Sequence, residues 1–496
     1  MFPTILARAF ALILIASIAS CGGLPTVTPA AGTHIAFTPA VVLVTTLDGE
    51  PATARLHDGI IVCEMVMGNQ FVLRKLTHDL TPLWTAPVHD GEEARSRLDT
   101  IKAEQTGEEI NSAHEQIVKL YPYRGVVMLL TYRRTPYGLE FVGRTYDAAN
   151  GSVLTRDVLH RIVGAELPAK FIRQVAAKLS PDSSKIAMYF HAKGENATAW
   201  QMDAIIFDSN LRAIEQRKFN GDDSTGQYFQ DMDVDDAGNY YVSQMGKDFT
   251  LTVEKHSITG EVTKAVSVFA QEEYGIRIER LKTVWDGTQS LLLAAPIVDD
   301  NELVGLAVSR VNIATMTATG ANVAISEEML DDSELEYPHM HSLMRVEGPT
   351  RFVAVFEPRM NVTLVRERSG AAWPSSMTRD LVVLGLDQNI RPTWTRRVEK
   401  QESSPEHNRA DRATAKIHLT SRNELHVLYL GDAGLYLETI HVGDGRPGVE
   451  NRLLLEQLVV YGWSRGLTTW LNDNDLITMI WRQGDTRQSN IYRVKY

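Results

Sequence analysis

The chain has 496 residues, 44% of them apolar, and a formal charge of −12. Its length exceeds a typical domain of about 100–200 residues, although all-β barrels and propellers run longer as one domain. The composition excludes a disordered chain, and the acidic balance excludes a general nucleic-acid binder, which carries a basic footprint. Cys21 and Cys63 are the two cysteines. If Cys21 is consumed at the N-terminus no internal disulfide remains, and the fold must rest on its apolar core.

Residues 1–20 come first. Arg8 marks a charged n-region, Phe10 to Ile18 an apolar h-region, and small residues precede the break. That is the pattern of a secretory signal, too short to span a bilayer. No later apolar run reaches about 18 residues, so no transmembrane helix is expected. Ile18-Ala19-Ser20-Cys21 resembles the bacterial lipobox. The resemblance implies cleavage before Cys21 and a covalent lipid on its thiol; two or more acyl chains hold a protein where one would not. An ordinary secretory signal that happens to contain a cysteine is the other reading. In the sorting rule of enterobacterial lipoproteins, Asp after the cysteine retains the protein at the inner membrane. Gly22 therefore implies the outer membrane, on its periplasmic or outer surface. Residues 21–33 are small and Pro-rich, and read as a flexible tether.

From residue 34 to 496, helix periodicity is scarce, and strand runs of Val, Ile, Tyr and Phe alternate with Asp, Asn and Gly turns. One unit is legible in residues 57–88: strands at Ile60–Met65 and Phe71–Leu76, a turn at His78-Asp79, and a further strand carrying Trp84. Its second half returns at 138–158, 203–219, 249–269, 303–323, 379–398 and 434–454, with turns at Asn150-Gly151, Asn210, Gly260 and Asp444-Gly445. The copy at 379–398 is the strongest, with Asp387 and Trp394 in the places of Asp79 and Trp84. The first half, a strand-turn-strand, returns at 175–192, 230–245, 282–297, 417–431 and 468–483. Asp, Asn, Ser and Gly suit such hairpin turns because they tolerate left-handed backbone or cap it.

Four antiparallel strands repeated about eight times make an all-β protein, a single β-propeller. Eight blades are favoured over seven. The last unit, at 489–496, lacks an outer strand, whereas residues 34–49 supply a spare one. A ring closed by lending that strand to the last blade has no exposed sheet edge there. Two β-sandwiches would not produce so even a repeat.

SPDSSKIAMYF (180–190) resembles the turn of TolB-type propellers, and MDVDDAGNYYVS (232–243) that of other bacterial repeat propellers. The outer strand LTPLWTAPV resembles those of pyrroloquinoline-quinone-like propellers. With the leader and the length, the whole looks like the propeller subunit of the outer-membrane barrel-assembly machinery. The resemblance implies fold and compartment and assigns no binding residues. Most units lack the docking tryptophan of the quinone type, and no vicinal cysteine pair can form.

Few motifs point to chemistry. Asp231, Asp233, Asp235 and Asp236 invite a calcium-loop reading, but Gly238 falls at position eight and Val242 at position twelve, so a hairpin fits better. His339 and His341, two apart, share one face of a strand and could begin a metal site, with no third ligand at useful spacing. Cys63 sits in a strand run as a small core residue. No GxSxG, P-loop or dinucleotide fingerprint occurs. No cofactor is expected beyond the lipid on Cys21.

Four blade-to-blade connections are long: 90–110, 270–275, 325–338 and 400–412. The first reads as a short amphipathic helix with Leu98 and Ile101 inward. The third carries Glu327, Glu328, Asp331, Asp332, Glu334 and Glu336 and no basic residue. One face of the ring is therefore expected to be acidic, either simply solvated or a docking face for a basic partner. The leading expectation is a lipid-anchored envelope module that binds or scaffolds another envelope protein, with no nucleic-acid partner. The alternative is a propeller enzyme of glycosidase or lyase type working near the ring axis. Its candidate groups are Asp231, Asp233, His339 and His341.

Overall fold

The structure, a computed structural model, describes residues 28–38, 43–44, 52–66, 70–88, 115–135, 138–163, 172–193, 199–222, 227–246, 250–268, 277–278, 281–287, 289–299, 302–325, 338–365, 372–378, 380–400, 415–431, 433–456, 461–482 and 489–496. Their regular structure is entirely strand, in eight antiparallel sheets that follow one another along the chain as the blades of a propeller.

Blade 1 is Thr53–Leu56, Gly59–Val66, Gln70–Thr77 and Pro82–Pro87. Blade 2 is Gln116–Tyr123, Val126–Thr135, Gly138–Asp147 and Val153–Val163. Blade 3 is Ile172–Leu179, Lys185–Lys193, Ala199–Asp208 and Ala213–Asp222, and blade 4 is Gln227–Val234, Tyr240–Gly246, Thr250–His256 and Val262–Val268. In blade 5 the first strand is broken into Arg277–Ile278 and Lys282–Asp286, followed by Ser290–Asp299, Glu302–Asn312 and Thr317–Ala324. Blade 6 has Pro338–Arg345, then a 14-residue strand, Phe352–Val365, which pairs with both Ala372–Thr378 and Leu381–Leu386, then Pro392–Val398. Blade 7 is Lys416–Leu419, Glu424–Leu430, Gly434–His441 and Pro447–Glu456; blade 8 is Tyr461–Asn472, Asp475–Arg482 and Ser489–Lys495.

The eighth blade takes its outer strand from the other end of the chain. His34–Phe37 pairs antiparallel with Ser489–Lys495, His34 opposite Lys495 and Phe37 opposite Tyr492. Just beyond, the Asn490 amide donates to the Thr38 carbonyl at 2.7 Å, and the Ile491 backbone N–H donates to the Thr38 hydroxyl at 3.2 Å. Eight blades, closed by the N-terminal strand, is the architecture the truncated last unit implied. The stretch before it contributes more than a tether. Thr28–Pro29 lies along the outer edge of blade 7, opposite Glu456 and Leu455, and Thr33 is buried.

The apolar core is divided among the junctions between blades. One cluster joins blades 1 and 2 through Ile61, Leu73, Ile117 and Leu129. Another joins blades 4 and 5 through Tyr241, Val253, Leu291 and Leu293, and a third joins blade 8 back to blade 1 through Ile477, Ile491, Ile60 and Val62. The five other junctions hold clusters of the same kind. Each blade is thus covered on both faces, which explains the strand sequences. Middle strands such as GIIVCEMV and LVVLGL are mostly apolar and buried over six successive residues, the one charge among them, Glu64, paired with Arg74 at 3.0 Å. Outer strands such as PLWTAP, at the circumference, are largely exposed. Each fully buried Leu, Ile or Val contributes about 1.5–3 kcal/mol.

Antiparallel order fixes two faces of the ring. The turns between strands one and two, and between three and four, lie on the hairpin face. The turns between strands two and three, and the connections to the next blade, join strand ends on the opposite, connection face.

Candidate functional site

The first strand of each blade lies nearest the axis, and the candidate acids sit there. Asp231 and Asp233 lie on the innermost strand of blade 4, two positions apart, with a register shift just before Asp231. Blade 3 meets them. Lys178, on its innermost strand, ion-pairs with Asp231 at 2.6 Å, and the Tyr189 hydroxyl donates to the other Asp231 oxygen at 3.0 Å. Asp233 is 6% exposed. Burial pushes its pKa up to about 6; Lys178 and the hydrogen bond from Thr283 of blade 5 oppose the rise, and the Asp231 charge adds to it. One Asp233 oxygen, Oδ2, is buried without a hydrogen-bond partner. The sequence put these two acids on one strand; it gave no sign of Lys178, 53 positions away.

Asp235 and Asp236 do other work. One Asp235 oxygen accepts from the Ala237 and Asn239 backbone N–H groups, and the other from the Asn239 amide and the Tyr241 hydroxyl. Asp236 accepts from the Asp182 backbone N–H of blade 3 at 2.9 Å. The hairpin reading of DMDVDDAGN accounts for these contacts. His339 and His341 lie on the innermost strand of blade 6, with blade 5 between them and the Asp231 pair. The His341 ring nitrogen Nδ1 is 2.6 Å from the Ser342 hydroxyl. Among the described residues no group of three His, Cys, Asp or Glu side chains is placed to hold a metal ion.

Cys21, the acidic run Glu327, Glu328, Asp331, Asp332, Glu334 and Glu336, and the amphipathic segment with Leu98 and Ile101 lie outside the described residues. The strands flanking that acidic run, Thr317–Ala324 and Pro338–Arg345, have their nearer ends, Ala324 and Pro338, on the connection face. Cys63 is fully buried in the junction of blades 1 and 2.

Two buried charge clusters could not be found from local pattern. The Asp286 side chain, 2% exposed, is met by Arg310 of its own blade 5 and by Arg345 and Arg351 of blade 6, the last two at 3.1 and 2.9 Å. Glu357 of blade 6 is fully buried against Lys400, itself 1% exposed, and accepts from the Ala415 backbone N–H. Both tie strands that are far apart in sequence.

The hairpin face carries a cleft of about 270 Å³ between blades 4 and 5, lined by Asn239, Lys255, Ser257, Glu261, Thr263 and the turn Ala314 to Met316. Lys255 is fixed there by donating to the Ile313 carbonyl at 3.1 Å. Its lining is mostly polar, and it includes both an ammonium and a carboxylate.

No protein-family model matches the chain, and no curated protein matches it in sequence. No family match therefore supports the barrel-assembly or the TolB-type resemblance in particular. Solved structures do match, and those compared are β-propellers. Sqt1 of Saccharomyces cerevisiae is 10% identical, with 95% of this chain and 100% of that one covered and a TM-score of 0.43. The polysaccharide lyase Uly1 is 8% identical, with 94% and 99% covered and a TM-score of 0.43. The quinohemoprotein alcohol dehydrogenase of Comamonas testosteroni is 11% identical, with 93% and 76% covered and a TM-score of 0.40. Likeness at this level concerns the fold alone; the assignment of an eight-bladed β-propeller rests on the strand topology itself.

Proposed function

We propose that this chain is a lipid-anchored β-propeller of the bacterial cell envelope, held through Cys21, that binds or scaffolds a neighbouring envelope protein. The carrying observation is the path of the N-terminal segment. Thr28 lies opposite Glu456, the last residue of the outer strand of blade 7, and that strand ends on the connection face. The chain thus enters the ring from that face. Cys21 stands seven positions earlier, a reach of at most about 25 Å. A lipid there would hold the rim of blade 7 close to the membrane with the connection face on the same side. The strands on either side of the acidic run have their nearer ends, Ala324 and Pro338, on that face too. A membrane-proximal partner with a basic surface fits this arrangement, since opposite charge speeds encounter and sets orientation.

The test has two parts. Palmitate labelling and membrane fractionation should show Cys21→Ala unlabelled and released from the membrane; an unlabelled wild type would sink the anchor. Crosslinking of intact cells and mass spectrometry should recover one dominant envelope protein. That recovery should fall when the six acids between Glu327 and Glu336 are changed to their amides. If nothing is enriched above background, the scaffold reading fails.

A second reading has its own observation. Asp233, which retains a proton up to about pH 6, beside the Lys178 ammonium that contacts Asp231 at 2.6 Å, is a combination that acid–base chemistry on a polysaccharide can use. If the ring acts as a glycosidase or lyase at its axis, glycan cleavage by the purified chain is lost in Asp233→Asn. No cleavage of any envelope or extracellular glycan by the wild type rejects it.

A further inference from the structure

The turn between the third and fourth strands has one shared form in blades 2, 5 and 7. In blade 2, Asp147 accepts from the Ala149 and Asn150 backbone N–H groups, and the Ala148 N–H donates to the Gly125 carbonyl of the neighbouring turn. In blade 5, Asn312 accepts in the same way from Ala314 and Thr315, and the Ile313 N–H donates to Gln289. In blade 7 the Val442 N–H donates to Asn423. The residue three beyond is Gly151, Met316 or Gly445, each with positive φ, at 75°, 51° and 72°.

What the preceding blade lays against this turn differs. Trp84 of blade 1 packs its ring on Gly151 and donates its indole N–H to the Ala148 carbonyl at 3.2 Å. Trp394 of blade 6 does the same to Gly445 and the Val442 carbonyl, at 2.8 Å. In blade 4, the residue with the pairing of Trp84 is Thr263. Trp84 stands opposite Lys75 in its blade, and Thr263 opposite Lys255. The two lysines match as well: Lys75 donates to the Ala148 carbonyl at 2.9 Å, and Lys255 to the Ile313 carbonyl at 3.1 Å. A threonine where two sister junctions place an indole accounts for the cleft between blades 4 and 5.

We propose that this cleft is a binding site for a single neutral sugar residue. Its size, about 270 Å³, suits one ring. Its groups suit hydroxyls. Lys255 spends one N–H on Ile313 and has others to give, Glu261 is an exposed carboxylate acceptor, and Asn239, Ser257, Thr263 and Thr315 surround them. Lys255 and Glu261 balance each other in charge, so a free anion or cation gains little, whereas a hydroxylated neutral ligand can bond to both. Met316 lines the cleft while packing against the apolar junction of blades 4 and 5, and so gives the otherwise polar cleft one apolar side. The cleft is on the hairpin face, away from the side on which the N-terminal segment enters, so the site goes beyond the anchoring and scaffolding roles and does not depend on them.

Isothermal titration of the full chain tests this, with glucose, galactose and N-acetylglucosamine as probes and inorganic phosphate and free lysine as charged controls. At least one sugar should bind with a Kd on the order of 1 mM or tighter. Glu261→Gln, at an exposed position, should weaken it about tenfold. The double variant Thr263→Trp with Met316→Gly rebuilds the ring-on-glycine arrangement of the sister junctions, and should abolish binding while keeping the melting temperature. If that variant does not fold, Glu261→Gln alone decides. No binding of any of the three sugars at about 10 mM, tighter binding of phosphate or lysine, or sugar affinity unchanged in the folded variants overturns the proposal.

Discussion

The indole N–H of Trp394 donates to the carbonyl oxygen of Val442 at 2.8 Å, across the boundary between blades 6 and 7. The ring lies so close to the next turn that a β-carbon at Gly445 would stand 2.6 Å from it. Glycine is needed there twice over, for the approach and for a φ of 72°. Trp84, Ala148 and Gly151 repeat the arrangement between blades 1 and 2. A ring of blades is only as stable as its junctions, and these two are riveted.

Trp394→Ala should therefore cost about 2–3 kcal/mol, below the figure for a fully buried aromatic because its ring is only half-buried, and Gly445→Ala about 1–3 kcal/mol from overpacking alone. Equilibrium denaturation followed by tryptophan fluorescence measures both. A Gly445→Ala variant as stable as wild type would mean the indole does not pack on that turn.

Lys400 and Glu357 form a pair with almost no exposure on either side, 1% and 0%. Truncating one partner leaves a buried charge without its counterion, a loss of about 3–5 kcal/mol. Lys400→Met should be strongly destabilising, and the double variant with Glu357→Gln should recover much of the loss. A double-mutant cycle with no coupling between the two positions refutes this account.

Asp233 gives stability a pH dependence of unusual sign. Its folded pKa is about 6, above the ordinary 3.8. Below about pH 4 the carboxyl is protonated whether the chain is folded or not. Between about pH 4 and 6 the unfolded chain releases its proton and the folded one keeps it, so this group makes folding less favourable as pH rises. Above that range its contribution is constant. Asp233→Asn should thus gain on wild type as pH goes from about 4 to 8, as read from denaturation midpoints along the series. Parallel curves for the two proteins would mean Asp233 ionises normally.

Ring closure depends on the segment from Thr28 to Thr38, which edges blade 7 and completes blade 8. Deleting residues 28–38 exposes the edge of Ser489–Lys495 and removes the partners of Asn490 and Ile491. The deleted chain should unfold at lower denaturant and self-associate through the open edge, which size-exclusion chromatography would reveal. A monomeric deletion variant of wild-type stability would show that closure adds nothing.

Turn chemistry and the beat of the strands were legible along the chain. Asp79 and Trp84 against Asp387 and Trp394, the Gly turns at 151, 260 and 445, and a last unit short of one strand were enough for eight closed blades. Contacts within a blade are between neighbours in sequence, so local pattern encodes them. The long hairpin of blade 6, with its 14-residue strand, was not foreseen, nor was the pairing of Thr28–Pro29 with blade 7. Neither interrupts the local pattern of apolar and turn residues that announces a blade.

What the sequence by itself determined is therefore the repeat, the order of strands within each blade and the lending of the first strand to the last. Residues 1–20, which resemble a secretory leader, and Cys21 after them motivate the anchor proposal. Only the tertiary structure decided which side chains meet across blades: Lys178 with Asp231, Lys400 with Glu357, Trp394 with Val442, and the cleft opposite Thr263. The reason is geometric. These contacts join positions about one repeat apart, one blade facing the next, and no strand period or turn motif spans that distance. Trp84 and Thr263 occupy matching places in their blades, yet one fills a junction and the other leaves a cleft, because the ring packs each blade's outer strand against the following turn.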